Sequence, residues 1–516
     1  MTLPLDLLMF AALIGAILIG YPVAFTLAGI ATLFALLGWS LGQFDLSLLG
    51  ALGQRTFGIL TNNVLIAIPL FVFMGVVLEK SRIAEDLLET MGRLFGTMRG
   101  GLGVSVVLVG ALLAASTGIV GATVVAMGLI ALPTMLSNGY DRKLASGLVC
   151  TSGTLGQIIP PSTLLIILSD VMSNAYQQAQ FAEGKFTIET ISVGQIFAAA
   201  LVPGLMLVGI YIVYLLAKAW LQPASAPALK QVGERPSTRK VLGAVLPPIL
   251  LIVAVLGSIL GGIATPTEAA SVGAASALLM AGARSGGSNR WILIGATALG
   301  LLAVLVNLHP IRLQRDDAGL TDWLAGGLAV MLIAAGLVAL AQALLRTSST
   351  TMLKDVVTST LRVTSMIFAT IVAASIFSLV FRGLGGDTRL EEFLHQMPGG
   401  PTTALLFVMA LIFVLGFFLD FVEISVILLP LVVPPLILMG HDPLWLAILI
   451  AINLQTSFLT PPFGFSLFYL RGAAPKEVTT GDIYRGVMPF ILLQIVAVFI
   501  LWLFPIGVTW LPRLLY

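Results

Sequence analysis

"GTLGQIIPPST", residues 153–163, lies inside a run apolar enough to cross a membrane, yet it holds two adjacent prolines, two glycines and three hydroxyl side chains. A proline has no N–H to donate and its ring clashes with the preceding turn, so Pro160-Pro161 breaks any helix that passes through it. Within hydrocarbon, a freed backbone group is tolerated only where it is buried in protein or lines a polar cavity. The stretch therefore marks an internal site in a membrane-embedded chain.

The remaining sequence fits that solvent. Of 516 residues, 58% are hydrophobic and 10% charged, with a mean hydropathy of +1.06, against roughly 25% charged residues in soluble domains. Apolar runs of about 20 residues, enough to span the roughly 30 Å hydrocarbon core, recur throughout. The net charge of +2 comes from scattered basic residues, which excludes a nucleic-acid partner. The opening "MTLPLDLLMF" lacks the basic leader of a cleaved signal, so its apolar run is expected to remain as a span. A lone cysteine, Cys150, leaves no disulfide framework or Cys-cluster metal site. His309, His395 and His441 fall at separate loop ends, where surface roles outweigh a shared metal. Trp39, Trp220, Trp323, Trp445 and Trp502 lie near expected span ends, as in an interfacial belt.

Twelve crossings are expected, near 5–20, 23–39, 61–79, 144–170, 195–217, 241–261, 265–283, 291–308, 322–345, 356–381, 443–470 and 487–511. Two further stretches, 101–137 and 401–439, are too long for one crossing and carry glycine, proline or acidic residues at their middles. Each reads as a re-entrant helical hairpin with its tip inside the protein. Lys80, Arg82, Arg93, Arg99, Arg142, Lys143, Lys218, Lys230, Arg235, Arg239 and Lys240 place their loops inside by the positive-inside rule. Arg284, Arg290, Arg346, Lys354, Arg471, Lys476 and Arg485 follow, whereas Arg312, Arg315, Arg382 and Arg389 fall outside. Both termini then face outward. Residues 222–238, "QPASAPALKQVGERPST", form a Pro/Ser-rich inner linker.

The opening stretch has a counterpart. "IIPPS" at 158–162 matches "LTPPF" at 459–463, 301 residues later, and at the same spacing "STGIVGATV" (116–124) falls on "FFLDFVEIS" (417–425). The short arms "AEDLLETM" (84–91) and "RLEEFLHQM" (389–397) also correspond in style. The order span, arm, hairpin, broken span, span thus occurs twice, over 61–217 and 356–511. These units flank a linker and scaffold segment at 218–355 and follow N-terminal scaffold helices at 1–60. Because the first unit starts inward and the second outward, the repeats are inverted, the architecture of secondary transporters that bind substrate and ions near the midplane. The fold class is thus an all-α polytopic membrane protein with about twelve transmembrane helices and two re-entrant hairpins in two inverted repeats. A broken helix frees carbonyls for a cation and offers half-helix N-termini to a carboxylate; the competing reading is a plain packing kink.

The stretches "PLFVFMGVVLEKSRIAEDLLETMGRLFG", "GYDRKLASGLVCTSGTLGQIIPPS", "ATPTEAASVGA" and "NLQTSFLTPPFGFSLFYLRG", in that order, resemble the large membrane subunit of tripartite ATP-independent periplasmic (TRAP) transporters, the DctM type, over essentially the whole chain. The resemblance implies sodium-driven organic-acid uptake by an elevator motion in the bacterial inner membrane. It also implies two partners: a small four-helix membrane subunit of DctQ type and a periplasmic substrate-binding protein of DctP type. Carried over by motif, one sodium site would use Ser116, Thr117 and Gly118 with Gly156, Ile159 and Pro160. A second would use Gly416 and Leu419 with Ser457, Thr460 and Phe463. Substrate would lie near Thr151, Ser152, Thr154, Asn453, Gln455 and Thr456. The chain departs from the family at "LDFVEISVILLP" (419–430), where small and hydroxyl residues are usual; the subgroup it is similar to handles 2-oxo acids and other monocarboxylates. It also carries extra apolar segments at 284–350, read as added scaffold helices.

Acidic groups in apolar stretches are functional candidates by default, which singles out Asp420, Glu423 and Glu268. For the first two, the choice is between cation or proton handling and a network holding the hairpin tip; for Glu268 it is between function and a bond to a neighbouring helix end. Arg362 reads as snorkelling to the inner surface. An intramembrane enzyme would need clustered catalytic groups, and the sequence has no H-E-x-x-H or G-x-S-x-G. Nor does "STGIVGATVVAMG" have the lysine of a nucleotide loop. The alternatives within transport are a stand-alone organic-anion carrier or a sodium/proton antiporter of the same fold.

Overall fold

The computed structural model describes residues 4–118, 120–229, 236–286, 288–309, 319–348 and 351–516. Lys230 and Arg235 of the linker, and Arg312 and Arg315, lie outside the described residues, as do the side chains of Ser116 and Thr117. Among the described residues every regular element is a helix. The chain begins with α1 (Leu5–Ile19), α2 (Val23–Ser40), α3 (Leu52–Leu60), α4 (Ala67–Lys80), α5 (Ile83–Phe95), α6 (Gly101–Thr117) and α7 (Val120–Ser137). It continues with α8 (Arg142–Thr154), α9 (Thr163–Ala182), α10 (Val193–Leu221), α11 (Thr238–Leu260), α12 (Pro266–Arg284), α13 (Arg290–Leu308), α14 (Leu320–Ser348) and α15 (Met352–Gly383). Last come α16 (Gly386–His395), α17 (Gly400–Leu415), α18 (Phe421–Ile427), α19 (Leu429–Leu438), α20 (Pro443–Leu459), α21 (Phe465–Ala473), α22 (Thr480–Leu503) and α23 (Ile506–Leu515).

Seven of the described helices are long and apolar enough to cross a membrane alone, or eight if α18 and α19, bent by 57°, count as one. The chain is an all-α polytopic membrane protein. Several expected crossings are subdivided for local reasons. The run at 61–79 becomes helical only from Ala67, because Asn62 Oδ1 accepts from Val64 N at 2.9 Å and closes a turn first. The run at 487–511 is cut after Leu503, where Pro505 supplies no N–H. The runs at 144–170 and 443–470 are each two helices separated by the proline pairs.

Local geometry recurs at the 301-residue spacing. Gly139 (φ +84°) and Gly440 (φ +93°) end the hairpins, and each starts the same cap. Tyr140 N donates to Met135 O at 3.1 Å, and His441 N to Leu436 O at 3.3 Å, the six-to-one bond of a Schellman motif that needs a left-handed residue at its glycine. Asp141 then N-caps α8 through Leu144 N at 3.0 Å, and Asp442 N-caps α20 through Trp445 N at 2.9 Å. At the breaks, Pro160-Pro161 and Pro461-Pro462 are both cis.

Packing is reciprocal between the two halves. The segment after the first break, α9, packs on α18 and α19 of the second hairpin, while α21 packs on α7 of the first; α8 packs on α22, and α20 on α10. Around them, α2, α4, α11, α12 and α15 pack on one another as a frame. The arm α5 is amphipathic, with Ile83, Ala84, Leu87, Leu88 and Met91 buried at helical spacing and Glu85, Asp86 and Glu89 turned outward. In the 284–350 segment, α13 and α14 pack chiefly on each other and on α12, around a small separate cluster of Leu278, Leu279, Ile292, Ala339 and Ala343.

Small residues let the central helices approach closely. A methyl added at Gly486 of α22 would overlap the carbonyl of Lys143 on α8, and one at Gly147 would overlap the carbonyl of Gly486. Gly486→Ala is expected to cost about 1–3 kcal/mol of stability by overpacking, read as a lower melting temperature of the purified protein. Gly472→Ala, where nothing lies within 4 Å of the added carbon, should melt at or above the parent temperature.

Candidate functional site

Each half brings a hairpin tip against a helix break. In the first, Gly118 ends α6 in the left-handed region (φ +59°), and an added Cβ would stand 3.0 Å from Thr163 N and 3.1 Å from Thr163 Oγ1. The tip thus abuts the start of α9, where the N-cap residue Ser162 accepts no first-turn N–H through its side chain. Gly156, in the short 3-10 turn at 155–157, presses on Ala114 of α6, with the Ala114 carbonyl 3.5 Å from an added Cβ. Ile159 packs against Gly204 of α10, and Pro160 withholds the donor that would otherwise reach the Gly156 carbonyl. Gly118, Gly156, Ile159 and Pro160 are therefore brought to one region; the backbone of Ser116 and Thr117 completes the last turn of α6 beside them.

In the second half, Gly416 ends α17 against Ser457, where a side chain would overlap the Ser457 hydroxyl. The Phe418 ring of the tip lies 5.3 Å from the Phe463 ring beyond the break. Leu419 is buried and donates its N–H to Leu415 O at 2.9 Å. Thr460 turns out of the helix, its N–H bonded to Ser457 O at 3.1 Å and its Oγ1 to Thr456 O at 2.7 Å. Gly416, Ser457, Thr460 and Phe463 thus lie at one break, while Leu419 lines the apolar pocket between the tip and α1.

The freed carbonyls of the second proline in each pair are handled alike. Pro161 and Pro462 cannot donate to residues 157 and 458; instead, Ser162 Oγ donates to Gln157 O at 3.0 Å and Ser466 Oγ to Phe458 O at 2.9 Å. The two breaks meet at equivalent positions, where Gln455 Nε2 donates to Thr154 Oγ1 at 3.3 Å across 301 residues of sequence. Thr151, Ser152, Thr154, Gln455 and Thr456 are all buried. Asn453 differs: its Nδ2 is spent on Met409 O of α17 at 2.7 Å, so it ties the broken helix to the hairpin.

Buried polar groups ordinarily have partners, and several here have none in the protein: Thr151 Oγ1, Ser152 Oγ, Gln455 Oε1, both amide atoms of Gln157, Thr163 Oγ1 and Ser425 Oγ. The last three residues were missed by sequence reading. Gln157 sits within the opening stretch, and a glutamine in an apolar run beside a double proline was the available signal; in the fold it is 1% exposed. Among the described residues, no three His, Cys, Asp or Glu side chains converge on a common point.

The acidic candidates are helix caps. Asp420 is the N-cap of α18, accepting from Phe421 N at 2.6 Å, and Glu423 reaches back to Asp420 N at 2.8 Å. Glu268, exposed at the start of α12, does the same for Thr265 N at 2.8 Å, while Thr265 Oγ1 accepts from Glu268 N at 3.3 Å. Its carboxylate serves its own helix rather than a neighbouring one. Both boxes were legible as T-P-T-E and D-F-V-E.

The family model described as "Tripartite ATP-independent periplasmic transporter, DctM component" matches residues 10–361 and 320–506. The chain belongs to this family. It is a transporter permease subunit, a multi-pass inner-membrane protein and no enzyme. Over 98% of its length it is 29% identical to the C4-dicarboxylate TRAP transporter large permease protein DctM of Vibrio cholerae, of which 97% is covered. To the ectoine TRAP transporter large permease protein TeaC of Halomonas elongata it is 25% identical, covering 96% of each chain. The solved YdaH transporter of Alcanivorax borkumensis superimposes with a TM-score of 0.53 at 16% identity, over 90% of this permease and 89% of that chain, a likeness of fold.

The tip contact at Gly416 gives a direct test. Gly416→Ala should loosen the second hairpin, seen as several-fold faster hydrogen exchange over 416–427, and Ser457→Gly in the same chain should restore protection by removing the overlapping hydroxyl.

Proposed function

We propose that this permease imports small organic acids, a 2-oxo acid or another carboxylate, by sodium-coupled secondary transport that depends on a periplasmic binding protein of DctP type and a small DctQ-type membrane subunit. The two units at 61–217 and 356–511 act as inverted repeats, and the group comprising both hairpins and both broken helices moves as an elevator within the frame. The 1–60 and 218–355 segments belong to the frame. The observation that carries this reading is the pair of helix breaks, each facing a hairpin tip, with unpartnered hydroxyls and amides between them.

The chemistry of the donor set suits the ligands. Sodium is a hard cation that takes carbonyl and hydroxyl oxygens. The first site would draw on Ser116, Thr117, Gly118, Gly156, Ile159 and Pro160, and the second on Gly416, Leu419, Ser457, Thr460 and Phe463. A carboxylate accepts from amide and hydroxyl donors and from uncapped half-helix N-termini such as α9 and α21. Thr151 and Ser152 supply unspent hydroxyls and Gln157 an unspent amide, while Thr154, Gln455 and Thr456 would have to give up the bonds their donors make within the protein. The names of the relatives, C4-dicarboxylate and ectoine, support a carboxylate-bearing solute.

The deciding experiment is uptake of labelled 2-oxo acids and C4-dicarboxylates into proteoliposomes holding the permease with its small subunit, with and without the binding protein and an inward sodium gradient. Uptake that needs both is the expected result; uptake without the binding protein would favour a stand-alone carrier. Thr460→Val, which removes one oxygen ligand worth about 1.4 kcal/mol, should raise the sodium concentration for half-maximal uptake roughly tenfold while leaving insertion intact. Unchanged sodium dependence would sink the second site.

A further inference from the structure

Two side-chain contacts cross from the frame to α9, one at its middle and one near its C-terminal end, and both land on one of its faces. Asn62, in the turn before α4, donates to Asp170 Oδ1 at 2.8 Å. Arg382, at the outer end of α15, donates through Nη2 to Gln178 Oε1 at 3.0 Å and to Pro430 O at 3.2 Å. Residues 170, 174 and 178 share a helical face at four-residue spacing, and Asn174 Nδ2 links the row to Asp170 Oδ2 at 3.4 Å.

The Pro430 carbonyl is available for a reason visible in the sequence "PLVVPP" (430–435). Its helical donor would be residue 434, a proline without an N–H. Arg382 fills that gap just past the 57° bend between α18 and α19. Arg382 has no carboxylate within ion-pair distance among the described residues, and its Nε is buried without a partner. A guanidinium held by a neutral amide and a carbonyl is oriented, yet more easily released than one in a bidentate carboxylate pair. Arg389, by contrast, is tied to buried Asp6. The device is also one-sided. The position equivalent to 382 in the first unit is Ser81, whose hydroxyl turns back to Leu78 O in its own helix.

We propose that Arg382 is a positioning residue: with Asn62 it latches the return arm of the second hairpin and α9 to the frame, and the latch opens during each transport cycle. This rests on the moving-hairpin reading above. The latch makes the two ends of the stroke unequal, because among the described residues Ser81, at the equivalent position of the first unit, makes no such bond to the moving group.

The test uses the permease with its partner subunits in proteoliposomes, in a Cys150→Ala background. Arg382→Cys with Gln178→Cys is bridged by a short bis-maleimide, since a contact made through two long side chains is too wide for a disulfide. A second pair, Leu13→Cys with Leu428→Cys, flanks the apolar pocket between α1 and the second hairpin and reports the stroke without touching the latch. Bridging at 178–382 should abolish sodium-driven uptake. If only the Leu13–Leu428 bridge blocks uptake, the latch is wrong while the moving hairpin stands; if neither blocks, both readings fall. Independently, Arg382→Met should speed hydrogen exchange several-fold over 429–438 and 171–182 and leave α11 and α12 unchanged. Should Arg382→Cys fail to assemble, Gln178→Ala, a change at an exposed side chain, provides the same exchange readout over 171–182. Unaltered exchange in both variants would overturn the proposal.

Discussion

The structure depends on one constraint: a backbone N–H or C=O in hydrocarbon must find a partner inside the protein. Two proline pairs, at 160–161 and 461–462, violate the helical solution, and most of the surrounding architecture satisfies what they leave open. Serine hydroxyls at 162 and 466 take two freed carbonyls. Hairpin tips ending in Gly118 and Gly416 come close enough to cover the breaks because neither has a side chain to hold them off. The helices around them are packed through glycines, as at Gly147 and Gly486.

The two halves answer the same constraint with different chemistry. Position 157 is a glutamine with both amide atoms unpartnered, whereas its equivalent, Phe458, packs its ring against Phe421 and Phe465. The first tip turns on a glycine; the second carries Asp420 and Glu423, which close the N-terminus of α18 as a capping box. A shared backbone plan therefore carries a polar side chain at one position and an aromatic one at its equivalent.

Of the arginines that the loop count leaves outside, the two among the described residues have individual partners in the fold. Arg389 pairs with Asp6 and Arg382 bonds to Gln178 and Pro430. Charge counting treats loop cations as interchangeable, whereas these two are held by side-chain geometry at the ends of particular helices, which a count over loops does not register.

Much was decided by the sequence alone, because its signals are local. Apolar runs, the proline pairs, the glycine-aspartate caps at 139–141 and 440–442, and the match at a spacing of 301 all act through backbone chemistry within a few residues, and the chain's membership of the DctM family follows from motifs of that kind. The capping boxes at Thr265–Glu268 and Asp420–Glu423 were equally local, although intramembrane acids draw the eye to ion chemistry first. Only the tertiary structure brought Thr154 to Gln455, set Gly416 on Ser457, diverted Asn453 to the carbonyl of Met409, and left Gln157 and Thr163 without partners. Those facts depend on which faces of distant helices meet, and side-chain satisfaction across such faces is fixed by packing rather than by neighbours in the chain.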